Sequence, residues 1–432
     1  MGAGFGGLAC AASLGRRAVQ VTVIDQHNYH LFVPLLYQVA TAALSPADIA
    51  RPIRRILSKY KNIEVLLGEV IGVDRKLRRV QLADGSFLAY DRLVIATGSE
   101  YSYFGHPEWA QFAPGPRSIE QAREIRNDLL LSFERAEATD DPARRDALMT
   151  TIIVGGGPTG VEMAGSVAEL ARHALVRDFR HIDPRTARVI LIEAGPRILS
   201  GFPVSLSNYA HAALERLGVT VWTDRKVERV DRDGVVVAGR RIPAGCVIWG
   251  AGIQASPAAR WLGIPPDRAG RIPVGPDLAV CGAKDIYCIG DTSLVSGADG
   301  RPLAALAQVA KQEGQHLGRA LAANLERGVP IPPFRFRNRG DTAIVGRHAA
   351  VFDFGWLRLR GRIAWMLWAI IHIYLLIGFQ NRILVGLQWA WRYVTYERGA
   401  RLVTSEHPHA RCGGAGVSAP LPTEHAEPAE KT

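Results

Sequence analysis

Two short glycine-rich stretches of the chain have the spacing of a phosphate-binding loop, G-x-G-x-x-G. Such a loop joins a buried strand to a helix whose N-terminus faces the phosphates of a dinucleotide. Residues that favour a helix follow both stretches, and apolar residues 151–154 precede the second as a short strand. The loop glycines are Gly2, Gly4 and Gly7 in the first stretch and Gly155, Gly157 and Gly160 in the second.

An acidic residue stands at the end of the β-rich run that follows each loop. Residues 21–25 read VTVID and end at Asp25, and residues 188–192 read RVILI and are followed by Glu193. A carboxylate in this position accepts hydrogen bonds from the ribose hydroxyls and repels a 2′-phosphate. The two loops with their acids therefore predict a double dinucleotide fold, in which the second site prefers NAD over NADP.

Only one residue precedes the first glycine loop, so the loop lacks the strand that normally leads into it. In a parallel doubly wound sheet this strand is central and paired on both sides. We expect roughly five to ten mostly β-branched residues upstream of Gly2, the length of an ordinary strand. The first strand of this domain is thus predicted to be missing from the chain.

Composition places the chain among globular proteins with one strongly basic region. It has 432 residues, 48% of them hydrophobic, and a net charge of +11. Its five cysteines include no C-x-x-C pair, which argues against a disulfide framework and against a metal site. Residues 335–401 hold eleven Arg, no Lys, three acids and five of the nine Trp, a net charge of +8. Arginine beside Trp-rich apolar segments indicates a membrane surface rather than nucleic acid.

The chain resembles the type II, single-subunit NADH:quinone oxidoreductases, which are flavoproteins with two dinucleotide-binding folds. The resemblance extends from residue 2 to about residue 403, and PLLYQVAT and AQVAKQEG are its most specific parts. The matching segments are GAGFGG, HLFVPLLYQVATAALSP (30–46), ATG (96–98), GGGPTGVE (155–162), WGAG (249–252), IGD (289–291), AQVAKQEG (307–314) and AWMLWAIIHIYLLIGFQNR (364–382).

This resemblance implies that NADH reduces FAD by hydride transfer and that a membrane quinone then takes the electrons, without proton pumping. It implies an α/β fold with two Rossmann-like domains and a C-terminal membrane-associated helical region. The oligomeric state stays open, with a homodimer as one option. The implied domains are residues 1–115 and 245–330 for FAD, 116–244 for NADH, 331–402 for membrane anchoring and 403–432 as a disordered tail.

The resemblance also assigns site residues. Glu162 is placed at the nicotinamide–flavin junction, in a proton path, although an acid near a helix N-terminus is also favourable by itself. Gln308 and Gln312 share one helix face and are expected to line the quinone entrance, whereas Lys311 and Glu313 point to either side and are expected at the surface. The implied cofactor-binding positions are Gly2, Gly4, Phe5, Gly6, Gly7, Asp25, Gln38, Thr41, Val70, Thr97, Gly98, Asp291, Ala310, Lys311, Gly155, Gly157, Gly160, Glu193 and Gly252.

Residues 363–379 form an apolar run of seventeen residues, at the short end of the ~17–25 that span a bilayer. A second apolar run follows at 383–396. The pair fits a transmembrane hairpin, a buried core pair or interfacial helices, and the basic flanks and aromatic density favour interfacial helices. In a bacterium, the expected location is the cytoplasmic face of the cell membrane. Two alternatives remain for function: a sulfide:quinone or other FAD- and NAD-dependent reductase, and a non-catalytic flavin-based redox sensor.

Overall fold

The computed structural model describes residues 1–376, 379–395 and 400–404. The helices are α1 Phe5–Leu14, α2 Leu36–Ala40, α3 Pro46–Ile49, α4 Ile53–Leu57, α5 Ile119–Glu137, α6 Pro142–Leu148, α7 Pro158–Glu169, α8 Val204–Arg216, α9 Ala258–Leu262, α10 Ala307–Arg327, α11 Arg362–Leu375 and α12 Phe379–Thr395. The strands are β1 Val21–Asp25, β2 Tyr29–Leu31, β3 Ala50–Pro52, β4 Ile63–Leu67, β5 Val70–Asp74, β6 Arg79–Leu82, β7 Phe87–Ala89, β8 Leu93–Ile95, β9 Ser99–Tyr101, β10 Thr150–Val154, β11 Arg188–Ile192, β12 Val219–Trp222, β13 Val227–Asp231, β14 Gly234–Val237, β15 Arg240–Pro243, β16 Cys246–Trp249, β17 Ile253–Ala255, β18 Ile272–Pro273, β19 Ile286–Cys288, β20 Ser293–Leu294, β21 Asp341–Gly346, β22 Ala349–Asp353 and β23 Arg358–Arg360.

The second glycine loop belongs to a parallel four-stranded sheet with the order β12-β11-β10-β16. All five residues of β10 are buried, as expected for a strand paired on both sides in a sheet covered by helices. The loop after β10 leads directly into α7. A π-helical turn over Leu170–Ala174 then continues α7 and begins the insertion that separates the helix from β11.

The first glycine loop lies between two parallel strand pairs, β1 with β4 and β8 with β19. Its opening residues bridge the pairs: Gly2 N–H donates to the Ile24 carbonyl (2.7 Å), and Ala96 N–H donates to the Met1 carbonyl (2.9 Å). In the second half of the molecule, β10 occupies the corresponding place between β11 and β16. The strand expected upstream of Gly2 stays a prediction.

Helix α10 crosses α1 at very short distance because glycines line the crossing. A Cβ added at Gly314 would lie 2.1 Å from the Gly6 carbonyl oxygen, and one at Gly318 would lie 2.6 Å from that of Cys10. A Cβ at Gly6 would in turn come within 3.1 Å of the Ala310 carbonyl oxygen. This crossing fixes the first turns of α10, with the AQVAKQ segment, beside the first glycine loop.

The C-terminal part packs on the second half through the antiparallel sheet β21-β22-β23. Strand β21 lies so close to α7 that a Cβ at Gly165 would be 1.6 Å from the Val345 carbonyl oxygen. The apolar run predicted over 363–379 is interrupted, because α11 ends at Leu375 and α12 begins at Phe379. Among the helices described, none is both long and apolar enough to cross a membrane. The predicted tail lies outside the described residues from 405 onward.

Candidate active site

The first glycine of each loop has a backbone conformation that requires glycine. Gly2 has φ +87° and Gly155 has φ +106°, both in the left-handed range that L side chains avoid. A Cβ at Gly2 would be 2.3 Å from the Ala96 carbonyl oxygen, and one at Gly155 would be 2.7 Å from the Ala251 nitrogen. Each loop therefore turns tightly against the turn at the end of a neighbouring strand, β8 for the first loop and β16 for the second.

The other two glycines of each loop differ in what surrounds them. A Cβ at Gly7 or at Gly160 would lie 1.9 or 1.8 Å from the carbonyl oxygen of the first glycine of its own loop. At Gly4 and Gly157, a Cβ would meet no atom of the described chain within 4 Å. The space above the middle glycine is open in both loops, which is where the backbone must let a pyrophosphate approach. Both loops thus fit a dinucleotide.

The two acids hold their loops in the same way. Asp25 accepts hydrogen bonds from the Ala3 amide (2.6 Å) and from the amide two residues beyond itself (2.8 Å). Glu193 accepts from the Gly156 amide (2.5 Å) and from the amide two residues beyond itself (2.7 Å). Each carboxylate oxygen keeps acceptor capacity for a ribose hydroxyl. The structure therefore contains two equivalent half-sites, each with its glycine loop and acid.

Asp291 is held by two residues that the sequence analysis did not identify. Its Oδ2 accepts hydrogen bonds from Ser99 Oγ and from Arg117 Nη2, both at 2.6 Å. Arg117 also donates through Nε to the Ser99 carbonyl (2.9 Å). Ser99 directly follows the ATG motif, which could have indicated it. Arg117 lies in an irregular segment before α5 and has no such signal.

Thr97 and Gly98 are part of a hydroxyl network beside this acid. Thr97 Oγ1 lies 2.6 Å from Ser256 Oγ, and Thr292 Oγ1 donates to the Gly98 carbonyl (2.9 Å). Gly98 itself has φ +73°. These contacts join the ATG turn after β8 to the IGD turn after β19.

Glu313 is buried, and its predicted position at the surface is wrong. The residue is 1% exposed, and its Oε2 accepts the Gly290 amide hydrogen (2.5 Å). Burial raises its pKa to about 8, the Gly290 hydrogen bond counteracts this, and the charge of Asp291 adds to it. The close α1–α10 crossing turns this face of α10 toward the IGD turn, where the Gly290 amide needs an acceptor. Its neighbour Lys311 is exposed.

Glu162 stands on α7 where β21 covers the helix. Burial raises the pKa of this carboxyl to about 8, and the Ile344 amide, 3.5 Å from Oε1, only partly opposes that rise. Tyr101 is close by: burial raises its pKa to about 12, and the charge of Glu162 contributes to the rise. Glu162 is thus a carboxyl group that holds a proton at neutral pH.

The segment over residues 30–44 connects the two halves with the C-terminal helices. Gln38 accepts a hydrogen bond from Trp389 Nε1 of α12 (3.1 Å) and donates to Tyr37 Oη (2.9 Å). Thr41 Oγ1 lies 2.7 Å from Ser166 Oγ on α7. Gln38 and Thr41 are both buried. The segment is core packing and at the same time the junction of the three parts.

Aromatic rings continue from this segment to α11. The Phe5 ring meets the ring of Phe32 edge to face at 5.7 Å, and Phe32 meets His372 at 6.2 Å. His372 stacks on Trp368 at 4.3 Å and its Nδ1 lies 2.8 Å from the Trp368 carbonyl oxygen. Burial lowers the pKa of His372 to about 4, so its imidazole is neutral. An aromatic path therefore leads from the first glycine loop to the C-terminal helices.

The glutamines of α10 bind the main chain of residues 332–340, which we call the arm. Gln308 donates to the Gly340 carbonyl (3.2 Å) and accepts from the Arg339 amide (3.2 Å). Gln312 donates to the Arg337 carbonyl (2.9 Å) and accepts from its amide (3.1 Å). The shared helix face that the sequence predicts is present, and the arm lies along it.

Comparison with known proteins places this geometry in a family. The profile of the pyridine nucleotide-disulphide oxidoreductase family matches residues 1–314. A type II NADH:quinone oxidoreductase of Mycobacterium tuberculosis is 40% identical over 425 residues, covering 95% of this chain and 91% of the relative. The chain belongs to the type II NADH:quinone oxidoreductases. A second member from the same organism is also 40% identical, over 428 residues, covering 95% of this chain and 90% of its own length.

The fold of this type II oxidoreductase is also that of a solved structure. NDH2 of Plasmodium falciparum, in complex with NADH, superposes with a TM-score of 0.84 at 20% identity, covering 94% of this chain and 98% of its own. The family and the α/β fold class predicted from the sequence are confirmed. The domain boundaries stay predictions.

The remaining predicted residues of this type II enzyme lie in three places. Phe5, Gly6 and Ala310 surround the α1–α10 crossing at the first loop. Gly252, with φ +66°, follows β16 where a Cβ would touch the Phe104 ring at 2.5 Å. Val70 lies on β5 of the antiparallel sheet that links β4 to β8 and packs against the core cluster that includes Ile24. Their individual roles stay predictions.

Proposed function

We propose that this chain oxidises NADH and reduces a quinone, with FAD as its bound cofactor. One observation carries this proposal: the same loop, acid and hydrogen-bond pattern occurs twice in one chain, so the molecule has two dinucleotide sites. The relatives at 40% identity are named for NADH:quinone oxidoreduction. When bound, FAD supplies the redox chemistry, since it takes up a hydride and can release electrons singly or in pairs.

The residues of the first half-site fit FAD. The open space over Gly4 admits the pyrophosphate, and Asp25 has acceptor capacity for the ribose. Asp291, fixed by Ser99 and Arg117, is placed to accept from the ribityl chain. Gly157 and Glu193 play the corresponding parts for NADH, and the carboxylate of Glu193 repels the extra phosphate of NADPH.

Glu162 is the proposed proton carrier at the nicotinamide–flavin junction. Quinone reduction consumes protons as well as electrons, and a carboxyl whose pKa lies near the working pH can give and regain a proton efficiently. The raised pKa of Glu162, about 8, meets that condition. The Ile344 amide, 3.5 Å from Oε1, orients this carboxyl group.

Gln308 and Gln312 are the proposed quinone contacts, and the segment over residues 30–44 forms the opposite wall. A carboxamide can donate to a quinone carbonyl without bringing a charge into an apolar passage. Because both carboxamides hold the arm, a quinone that reaches one of them must replace a hydrogen bond to the arm. We infer that the arm borders the quinone entrance.

Helices α11 and α12 are proposed to lie on the bilayer, on its cytoplasmic side in a bacterial cell. On α11, Ile363, Met366, Ile370 and Tyr374 are between 57% and 68% exposed and follow one another at helical spacing. Contiguous exposed apolar side chains mark interaction surfaces. A matching row on α12 is formed by Ile383, Leu384, Leu387 and Trp391. We call these two rows the apolar ridge. A quinone dissolved in lipid would meet the enzyme at this ridge.

The cysteines favour NADH over sulfide as the electron source. A sulfide:quinone reductase needs a redox-active cysteine pair at its flavin. Of the cysteines in the described residues, Cys10, Cys246 and Cys288 are buried, Cys281 is exposed, and all are free thiols. Burial raises the pKa of Cys10 to about 12, which makes it unreactive.

A two-step stopped-flow experiment tests the function. The FAD-loaded protein is mixed with NADH without oxygen, and a ubiquinone or menaquinone analogue is then added while the flavin absorbance is followed. We expect NADH to bleach the flavin and quinone to restore its colour. Bleaching without recovery would favour a redox sensor, and bleaching by sulfide in place of NADH would favour a sulfide:quinone reductase.

Vesicle flotation tests the membrane part separately. Ile370→Asp places a charge on the apolar ridge and should release the protein from vesicles while turnover with a soluble quinone continues. Ile71→Asp alters an isoleucine on β5 that is 45% exposed and serves as the matched control. Equal flotation of the two variants would mean that the ridge does not enter lipid.

A further inference from the structure

The arm is held along α10 by a ladder of three side chains spaced four residues apart. Gln308 and Gln312 bind its far end, and His316 Nε2 lies 2.8 Å from the Pro332 carbonyl oxygen. Residue numbers on the arm fall as those on α10 rise, so the two run antiparallel. The arm is therefore fixed in position although its backbone forms no strand or helix.

The fixed arm displays a row of arginines. Arg335, Arg337 and Arg339 occur at alternate positions and are all exposed. Within the described part of the chain, none of the three forms an ion pair with a carboxylate. Three unneutralised cations on a fixed backbone are an arrangement that suits an anionic partner.

This row continues to the edge of the apolar ridge. Partial desolvation lowers the pKa of the exposed Lys311, and the positive charges of Arg339 and Arg382 lower it further, so both guanidinium groups act on this ammonium group. Arg382, at the start of α12, has its guanidinium 5.1 Å from the ring centroid of Tyr374 on α11. Tyr374 is 68% exposed and belongs to the ridge. A basic strip thus borders the surface proposed to enter lipid.

We propose that the arm arginines, with Lys311 and Arg382, bind the phosphate groups of anionic phospholipids. The inference rests on the membrane attachment proposed above and names the headgroup class. An apolar surface beside guanidinium groups that have no carboxylate partner among the described residues matches the boundary between acyl chains and phosphates, and guanidinium binds phosphate in a bidentate manner. The hydrogen-bond ladder from α10 keeps the cations at this boundary, beside the quinone entrance.

Vesicle binding by the FAD-loaded full chain tests the proposal. Flotation is compared on vesicles of phosphatidylcholine alone and on vesicles that also contain phosphatidylglycerol. Each cation near an anionic surface is expected to raise partitioning about fivefold, so replacing Arg335, Arg337 and Arg339 together with Gln should lower binding to the anionic vesicles about a hundredfold at low salt. Binding to neutral vesicles should not change.

The control removes the same charge elsewhere. Arg144, Arg232 and Arg240 are exposed in the second half of the molecule, and their triple Gln variant has the same net charge. We expect it to bind anionic vesicles nearly as the wild type does. Equal losses for the two triple variants would overturn the proposal, because net charge alone would then account for binding. Binding of the wild type to vesicles with phosphatidylglycerol that is no stronger than to phosphatidylcholine alone would also overturn the assignment to anionic lipid.

A neutral variant tests the ladder. Gln312→Ala removes two hydrogen bonds to the Arg337 main chain without changing a charge, and we expect weaker binding to anionic vesicles at unchanged flavin content. Binding equal to the wild type would show that the ladder does not position the arginines. The Ile370→Asp variant separates failure of the ridge from failure of the arm. We expect this variant to lose binding to neutral and anionic vesicles alike, whereas the wild type prefers anionic vesicles.

Discussion

Replacement of Glu162 by Gln should make the folded protein more stable at alkaline pH. The pKa of Glu162 rises from its ordinary value of 4.5 to about 8 because the carboxyl is buried. Below pH 4.5 the folded and unfolded chains both hold this proton. Between pH 4.5 and about 8 the unfolded chain releases it and the folded chain keeps it, so the free energy of unfolding falls as the pH rises.

The structure sets the size of this effect. Each pH unit in that interval corresponds to about 1.4 kcal/mol, so the wild type loses up to about 5 kcal/mol above pH 8. Glutamine has nearly the same shape and does not titrate, and the Ile344 amide can still donate to its carbonyl oxygen. The free energy of unfolding of Glu162→Gln should therefore equal that of the wild type near pH 5 and exceed it increasingly toward pH 9. The upper bound of the difference is about 5 kcal/mol.

Urea unfolding of the FAD-loaded protein from about pH 5 to about pH 9 measures the effect. Glu162→Asp keeps a carboxyl group and serves as the control, and it should retain the pH dependence of the wild type. A stability difference between wild type and Glu162→Gln that stays constant with pH would refute the reasoning, because Glu162 would then be ionised in the folded protein. Glu162→Gln should also slow quinone turnover about a hundredfold if Glu162 carries the proton.

Three further outcomes are expected. Glu193→Ser should narrow the preference for NADH over NADPH, measured as the ratio of kcat/KM, and an unchanged ratio would contradict the role of the carboxylate. Gly7→Ala should lower the affinity for FAD about tenfold or more, and Gly160→Ala should lower the affinity for NADH by as much, because each new Cβ collides with its loop. Titration with each cofactor measures these affinities. An exchange of the two effects would reverse the assignment of the two sites. Leu at Gln308 or Gln312 should slow flavin reoxidation by quinone and leave reduction by NADH nearly intact, and slower reduction by NADH alone would mean that this helix face does not serve the quinone.

The surroundings of the site depended on contacts that no local pattern contains. Arg117 pairs with Asp291 across 174 positions, and Glu313 is predicted at the surface because it points to one side of the face that Gln308 and Gln312 share. Its burial follows from the glycine crossing of α1 and α10, which turns that face of α10 inward. The amides of Gln308 and Gln312 likewise have partners only because the arm folds back along α10.

The sequence by itself determined the two glycine loops, their acids and the order of the dinucleotide folds. These features were readable because each belongs to a single strand–loop–helix unit, in which spacing along the chain dictates geometry: a tight turn requires glycine, and the following strand ends beside it. The tertiary structure decided which carboxyl groups are neutral and which polar groups are paired. Both depend on desolvation and on hydrogen-bond partners supplied by distant parts of the chain, so they exist only once the elements have packed.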